Sequence, residues 1–285
     1  MQNNLPKTLP IIAIAAFGIA VAGSAANATQ FVTNGGFETT AAVTPIPSPG
    51  NASNAAGGQL GYNLSATGWT INPPSNGTQN GGALNNSYFF LWKPAAGTSG
   101  TSADNGGAPG SFGNVALWGP GNGQANGLKL SQNGGNFIGS DPDFQFPATI
   151  QQTISGLTVG TQYTLTFDWA GAQQQGFDGS TTDGWTVKLG NDINNVNTST
   201  NNLPDKGFLG WFVDTINFTA TTTSETLSFL AFGTPNASAP PFALLDGVSL
   251  TERVPEPASL AIFGAALAGL GLVRRRRNSK GVTAA

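Results

Sequence analysis

The sequence contains no cysteine and no histidine. The first absence excludes disulfides and thiol catalysis, and the second removes the commonest general base and the commonest zinc ligand. Charge is scarce too: Asp, Glu, Lys and Arg make up 9% of the 285 residues, with a formal net charge of −3. Arg274, Arg275, Arg276, Arg277 and Lys280 crowd near the C-terminus, so the rest of the chain is acidic. Without a basic stripe to neutralise phosphates, nucleic acid is not an expected partner. What is abundant is Gly, at 40 residues, with many Asn, Thr and Ser, which are polar without being ionised. Phe, Trp, Leu, Ile and Val are spread through that background and can bury enough surface to offset ordering entropy, so a folded core is expected.

The two ends are apolar. Lys7 precedes an apolar run from Ile11 to Ala22, followed by small residues and an A-x-A pattern at Ala26-Asn27-Ala28. That is the form of a secretory signal peptide over residues 1–28, cleaved after Ala28 and handled by the Sec translocon. The alternative, an uncleaved anchor, fits less well because the run is short and ends in small residues. Near the C-terminus, Val254-Pro255-Glu256-Pro257 leads into a second apolar run, 258–273, which meets four arginines. A helix over that run is about 24 Å long at 1.5 Å per residue, slightly under the roughly 30 Å hydrocarbon core. It spans if the bilayer thins or Arg274, Arg275, Arg276 and Arg277 snorkel. By the positive-inside rule those arginines stop transfer and leave everything before Val254 outside the cytoplasm. Pro255 and Pro257 keep the approach extended, as a protease reading an unfolded strip requires.

Pro-Glu-Pro, an Ala/Gly/Leu helix and an Arg run together resemble the PEP-CTERM sorting signal, over residues 254–285. The resemblance implies recognition by an exosortase, a transient anchor in the inner membrane through the 258–273 helix, and delivery to the cell surface or an exopolysaccharide matrix. An ordinary tail anchor with a chance Pro-Glu-Pro is the plainer alternative.

Between the ends, residues 29–253 alternate short β-type runs with Gly/Asn/Pro/Ser clusters, which predicts one all-β domain, an antiparallel sandwich. Strands are expected at Gln30–Thr33, Gly68–Asn72, Tyr88–Trp92, Asn114–Trp118, Gly127–Ser131, Ala148–Ile154, Gln162–Ala170, Trp185–Leu189, Trp211–Ala220, Thr226–Phe232 and Ala243–Thr251. Long loops are expected at Thr40–Gly61, Asn72–Asn86, Pro94–Ser111 and Asp192–Lys206, where binding would reside if they are more than tolerated insertions. Parity places Tyr163, Leu165, Phe167 and Trp169 on one face. It also puts Asp246 on the same face as Leu244, Val248 and Leu250, and a carboxylate buried there needs a partner.

A second resemblance rests on Asn34-Gly35-Gly36-Phe37-Glu38, on Gly68-Trp69 and on Leu245-Asp246-Gly247-Val248, which look like the galactose-binding-like jelly rolls of carbohydrate-binding modules. It implies a jelly-roll fold in which Glu38 and Asp246 approach each other across neighbouring terminal strands and hold a structural calcium. The insertion after Glu38 is longer than usual, and Gly247 stands where family members often carry a second acid. A backbone-bonded Asp246 without an ion is the plainer alternative.

Three roles remain. Glycan binding would use aromatic faces and amides, with Trp69, Trp92, Trp118, Trp185 and Trp211 as candidates, although a Trp in an alternating strand is usually core. A structural matrix role needs no site. An enzyme would have to be a carboxylate-dependent glycoside hydrolase, but nothing in the spacing of Asp141, Asp143, Asp168, Asp178, Asp183 and Asp214 selects a pair. The expectation is a glycan-binding or structural protein of the exopolysaccharide envelope and not an enzyme.

Overall fold

The computed structural model describes residues 28–43, 57–72, 77–79, 82–84, 88–95, 100–111, 113–142, 148–190, 196–234, 239–253 and 264–270. The expected signal peptide except for Ala28, the sorting residues Val254, Pro255, Glu256 and Pro257, and Arg274 to Arg277 lie outside the described residues. Of the expected 258–273 helix, residues 264–270 are described and are helical. No helix among the described residues is long and apolar enough to cross a membrane.

Strands dominate the rest. The first half carries β1 (Thr40–Ala42), β2 (Gly57–Gln59), β3 (Leu64–Ala66), β4 (Thr70–Asn72), β5 (Gly77–Gln79), β6 (Gly82–Leu84), β7 (Phe89–Trp92), β8 (Ala108–Gly110), β9 (Gly113–Val115) and β10 (Phe137–Ser140). The second half carries β11 (Thr149–Ser155), β12 (Gln162–Gln173), β13 (Thr181–Leu189), β14 (Val196–Asn197), β15 (Asn201–Leu203), β16 (Phe212–Thr219), β17 (Ser224–Thr234) and β18 (Pro241–Glu252). Two antiparallel sheets form the sandwich, one in the order β16-β12-β18-β10-β7-β2 and the other β14-β13-β17-β11-β4, with β15 also on β13. This is an antiparallel β-sandwich of jelly-roll type, as expected.

Alternation decides which side chains meet between the sheets. Tyr163, Leu165, Phe167 and Trp169 of β12 pack there with Trp185, Val187 and Leu189 of β13 and with Leu227 and Phe229 of β17. Phe167 and Phe229 meet edge to face with centroids 5.2 Å apart. Full burial of such side chains stabilises by about 1.5–3 kcal/mol each.

A second apolar cluster lies on the outer side of the first sheet, where Phe90, Trp92, Phe137, Ala172, Phe242 and Leu244 are covered by a chain excursion contributing Ala103, Ala108, Val115, Leu117 and Leu128. The covered half of that sheet is therefore buried on both faces. Its strands β7 and β10 read as continuously buried, the pattern of a strand with two covered faces.

Several expected elements differ. Gly127–Ser131 is not a strand, and Asn114–Trp118 is a strand only as far as Val115, with Leu117 in an isolated bridge to Gln174. Of Gln30–Thr33 only Gln30 pairs, in an isolated bridge to Thr251. All four expected loops contain strands: β1 and β2 in Thr40–Gly61, β5 and β6 in Asn72–Asn86, β8 in Pro94–Ser111, and β14 and β15 in Asp192–Lys206. The facing of the last strand is corrected by a bulge: the β12–β18 register shifts between Thr166 and Asp168, with Gly247 left-handed at φ 59°. Inserting one residue reverses parity beyond it. Val248 and Leu250 join the core between the sheets, whereas Leu244 lies in the outer cluster, on the side to which Asp246 also turns.

Candidate functional site

The bulge sets Asp246 directly opposite Asp168 on the neighbouring strand. Like charges in opposed cross-strand positions repel, and both side chains are buried. The loop after Leu130 supplies donors to both. Ser131 Oγ donates to Asp246 Oδ2 in a short bond, the Gly247 N–H donates to Oδ1 at 2.7 Å, and Asn133 Nδ2 donates to Asp168 Oδ2 at 3.0 Å. A Cβ on Gly247 would stand 2.0 Å from Asn133 Nδ2, so glycine is needed here for space as well as for its φ.

Glu38 reaches the same place from the other terminus. Its loop is a tight turn in which the Phe37 N–H donates to the Asn34 carbonyl at 3.1 Å, and Asn34 Nδ2 donates to the carbonyls of Thr39 and Thr67 at 3.0 Å each. Trp69 Nε1 donates to the Asn34 carbonyl at 3.0 Å. These bonds hold buried Phe37 at φ 57°, a conformation that L side chains rarely adopt. The Val248 N–H donates to the Gly35 carbonyl at 3.0 Å, docking the turn on β18. A Cβ on Gly36 would lie 3.7 Å from Asp246 Oδ1 and 4.0 Å from Glu38 Oε1, which brackets those two oxygens within about 8 Å of each other. Glu38 Oε1 also accepts the Asn136 N–H at 2.7 Å.

Burial pushes the Asp246 carboxyl up to about 7; the Ser131 and Gly247 hydrogen bonds oppose the shift and the charges of Asp168 and Glu38 add to it. Burial raises Asp168 as well, against a backbone hydrogen bond from Gln132. The chemistry of the oxygens suits a hard cation. Among the described residues, however, no three Asp, Glu, His or Cys side chains are grouped so as to hold an ion. A cation here would rest on two carboxylates supplemented by carbonyl oxygens.

The candidate tryptophans divide by burial. Trp92 and Trp185 are fully buried and Trp69 nearly so, which removes these three from an aromatic platform. Their rings build the cores, and Trp185 Nε1 donates to the Leu244 carbonyl at 2.9 Å. Trp118 and Trp211 are half-buried, on loops outside the first sheet. Trp118 Nε1 donates to the Phe177 carbonyl and Trp211 Nε1 to the Lys129 carbonyl, each at 2.9 Å. Lys206 Nζ lies 5.1 Å from the Trp118 ring centroid and pairs with Asp178 at 2.8 Å. Asn126 Nδ2 ties the loops together, donating to the carbonyls of Trp118 and Lys206 at 2.8 Å each. Lys206 and Asn126 carried no signal in the sequence, and Asp178 appeared there only among the candidate carboxylates, because only the packing of three loops brings them to Trp118.

Fold and tail together define an exported sandwich protein with a sorting signal. Residues 253–277 match the PEP-CTERM protein-sorting motif, the signal that exosortase recognises. No curated protein matches the chain. Among solved structures, the chain is similar to the Stig cyclase FisC from Fischerella sp. TAU at 15% identity, covering 80% of this chain and 100% of that one with a TM-score of 0.44. It is also similar to TmCBM61, solved with β-1,4-galactotriose, at 12% identity over 79% of this chain and 99% of that one with a TM-score of 0.27. The N-terminal cellulose-binding domain of the Cellulomonas fimi β-1,4-glucanase C is similar at 16% identity over 42% of this chain and 79% of that one, with a TM-score of 0.24.

Proposed function

We propose that the protein is a glycan-binding component of the exopolysaccharide envelope, exported through the Sec translocon, held briefly in the inner membrane by its C-terminal helix and released to the cell surface or matrix by exosortase. The observation that carries the binding role is the surface around Trp118 and Trp211. Both indole N–H groups are bonded to backbone carbonyls, which fixes the rings; Lys206 stands over one face of Trp118, and the exposed remainder of these half-buried rings is the area proposed to meet a sugar. Fixed aromatic faces stack on sugar C–H surfaces at little entropic cost. Binding is favoured here over hydrolysis because the burial of Asp168, Asp183 and Asp246 suits structural carboxyls better than a pair flanking a substrate. Affinity electrophoresis in gels containing soluble xylan, galactan or dextran tests this function. The wild-type protein is expected to be retarded in at least one gel and Trp118→Ala to lose most of that retardation; equal mobility of the two proteins in every gel would argue against a Trp118 platform.

Glu38 and Asp246 are proposed to hold one calcium ion that ties the first turn to the last strand. A divalent cation would relieve the repulsion that Asp246 meets from Asp168 and Glu38, and hard oxygen ligands are what calcium takes. An ion bound only by the folded state raises the melting temperature by mass action. Calcium is expected to raise the Tm of the wild type and chelator to reverse the gain, with Asp246→Asn insensitive to both. A wild-type Tm indifferent to calcium and to chelator would leave the Ser131 and Gly247 hydrogen bonds as the only partners of Asp246.

A further inference from the structure

On the opposite side of the sandwich, the outer face of the second sheet carries a groove of about 450 Å³. Parity builds its floor. Gln151 of β11, Ser224, Thr226 and Ser228 of β17 and Lys188 of β13 point outward because Ile150, Leu227, Phe229, Val187 and Leu189 point into the core. Register then aligns Thr70, Gln151, Ser228 and Lys188 in one row across four strands. Asn72 Nδ2 donates to Gln151 Oε1 at 3.4 Å at one end. Thr221 and Thr222 close the other end at the turn between β16 and β17.

That turn is rigid. Glu225 is buried under it, and its Oε1 accepts the Thr221 N–H at 2.6 Å, the Thr221 hydroxyl at 2.7 Å and the Thr222 N–H at 2.9 Å. Its Oε2 has no hydrogen-bond partner among the described residues. Lys188 forms no ion pair among them. Among the described residues the groove therefore carries one cation, one carboxylate and a row of hydroxyls and amides, with no aromatic ring.

We propose that this groove binds a segment of a neutral polysaccharide. Amides and hydroxyls both donate and accept, which matches a chain whose every sugar presents hydroxyls, and Lys188 adds a charged donor. A polyanion would find a single cation above a buried carboxylate, and an apolar ligand would leave the row of polar groups desolvated and unpaired. The site rests on the proposed function only for the premise that the protein meets polysaccharide, since none of its residues belongs to the Trp118 surface.

Hydrogen exchange of the exported protein with soluble xylan, galactan, dextran or polygalacturonate locates binding. A neutral glycan is expected to slow exchange at 186–190 and 221–228, and the double variant Gln151→Ala with Lys188→Ala is expected to abolish that slowing at the groove. Glycan protection confined to 116–131, groove protection unchanged in the double variant, or protection at the groove by polygalacturonate alone would overturn the groove assignment while leaving a glycan-binding role standing. Absence of any effect from all four polymers would remove both.

Discussion

Asp183 is the residue whose position most departs from ordinary protein chemistry. It faces the core from β13 with no exposed surface, Oδ1 has no hydrogen-bond partner among the described residues, and Oδ2 receives only the Thr181 hydroxyl at 3.4 Å. Burial raises its pKa well above the usual carboxylate value; the Thr181 bond opposes this and the charge of Asp141 adds to it. Below about pH 3.9 the folded and unfolded chains both carry the proton, so burial is then least costly. As pH rises, the unfolded chain releases the proton while the folded one keeps it, so stability falls until the folded carboxyl itself ionises. The slope is at most about 1.4 kcal/mol per pH unit. Asp183→Asn removes it, so urea unfolding from pH 3 to 7 should show the variant gaining on the wild type as pH increases; parallel curves would contradict a buried, protonated Asp183. At this scale the sequence was partly legible. Asp246 stood out among apolar neighbours, but Asp183 did not, because Gly184 and the polar Thr181 and Thr182 around it read as surface. Nor could the sequence separate the half-buried Trp118 and Trp211 from the buried Trp69, Trp92 and Trp185, since a Trp in a β-type run reads the same whether a second layer covers it or not.

Among the elements, β12 was legible because it alternates, and its facing residues Tyr163, Leu165 and Phe167 occupy the core. β10 was not, because a strand covered on both faces lacks the period of two on which recognition depends. β18 was read through a bulge that alternation cannot reveal, and this inverted the relation of Asp246 to Val248. The bulge can be tested at its own glycine. Gly247→Ala places a Cβ at a left-handed φ and against Asn133, the donor to Asp168. It should cost about 1–3 kcal/mol. Gly156 is also left-handed, at φ 82°, but has nothing within 4 Å of the added carbon, so Gly156→Ala should cost less. Equal losses in denaturant midpoint would mean that Asn133 yields freely and that the bulge is held by something else.

For the whole molecule, the composition placed a charge-poor β-sandwich between two apolar ends, and the 253–277 match gives the C-terminal end a defined purpose. What could not be read from the chain was the outer cluster under the 93–131 excursion, because it is assembled from short apolar pieces far apart in sequence. That excursion positions Trp118, so the candidate glycan surface depends on contacts invisible to any local pattern. Export and sorting, in contrast, are written in contiguous residues. The most direct test is peptide mapping by mass spectrometry of the protein recovered from the cell surface. If the proposed signal-peptide cleavage and exosortase processing both take place, peptides should begin at Thr29 and none should contain Arg274 to Arg277. A surface form that keeps Met1, or one that carries the intact arginine tail, would contradict sorting by exosortase.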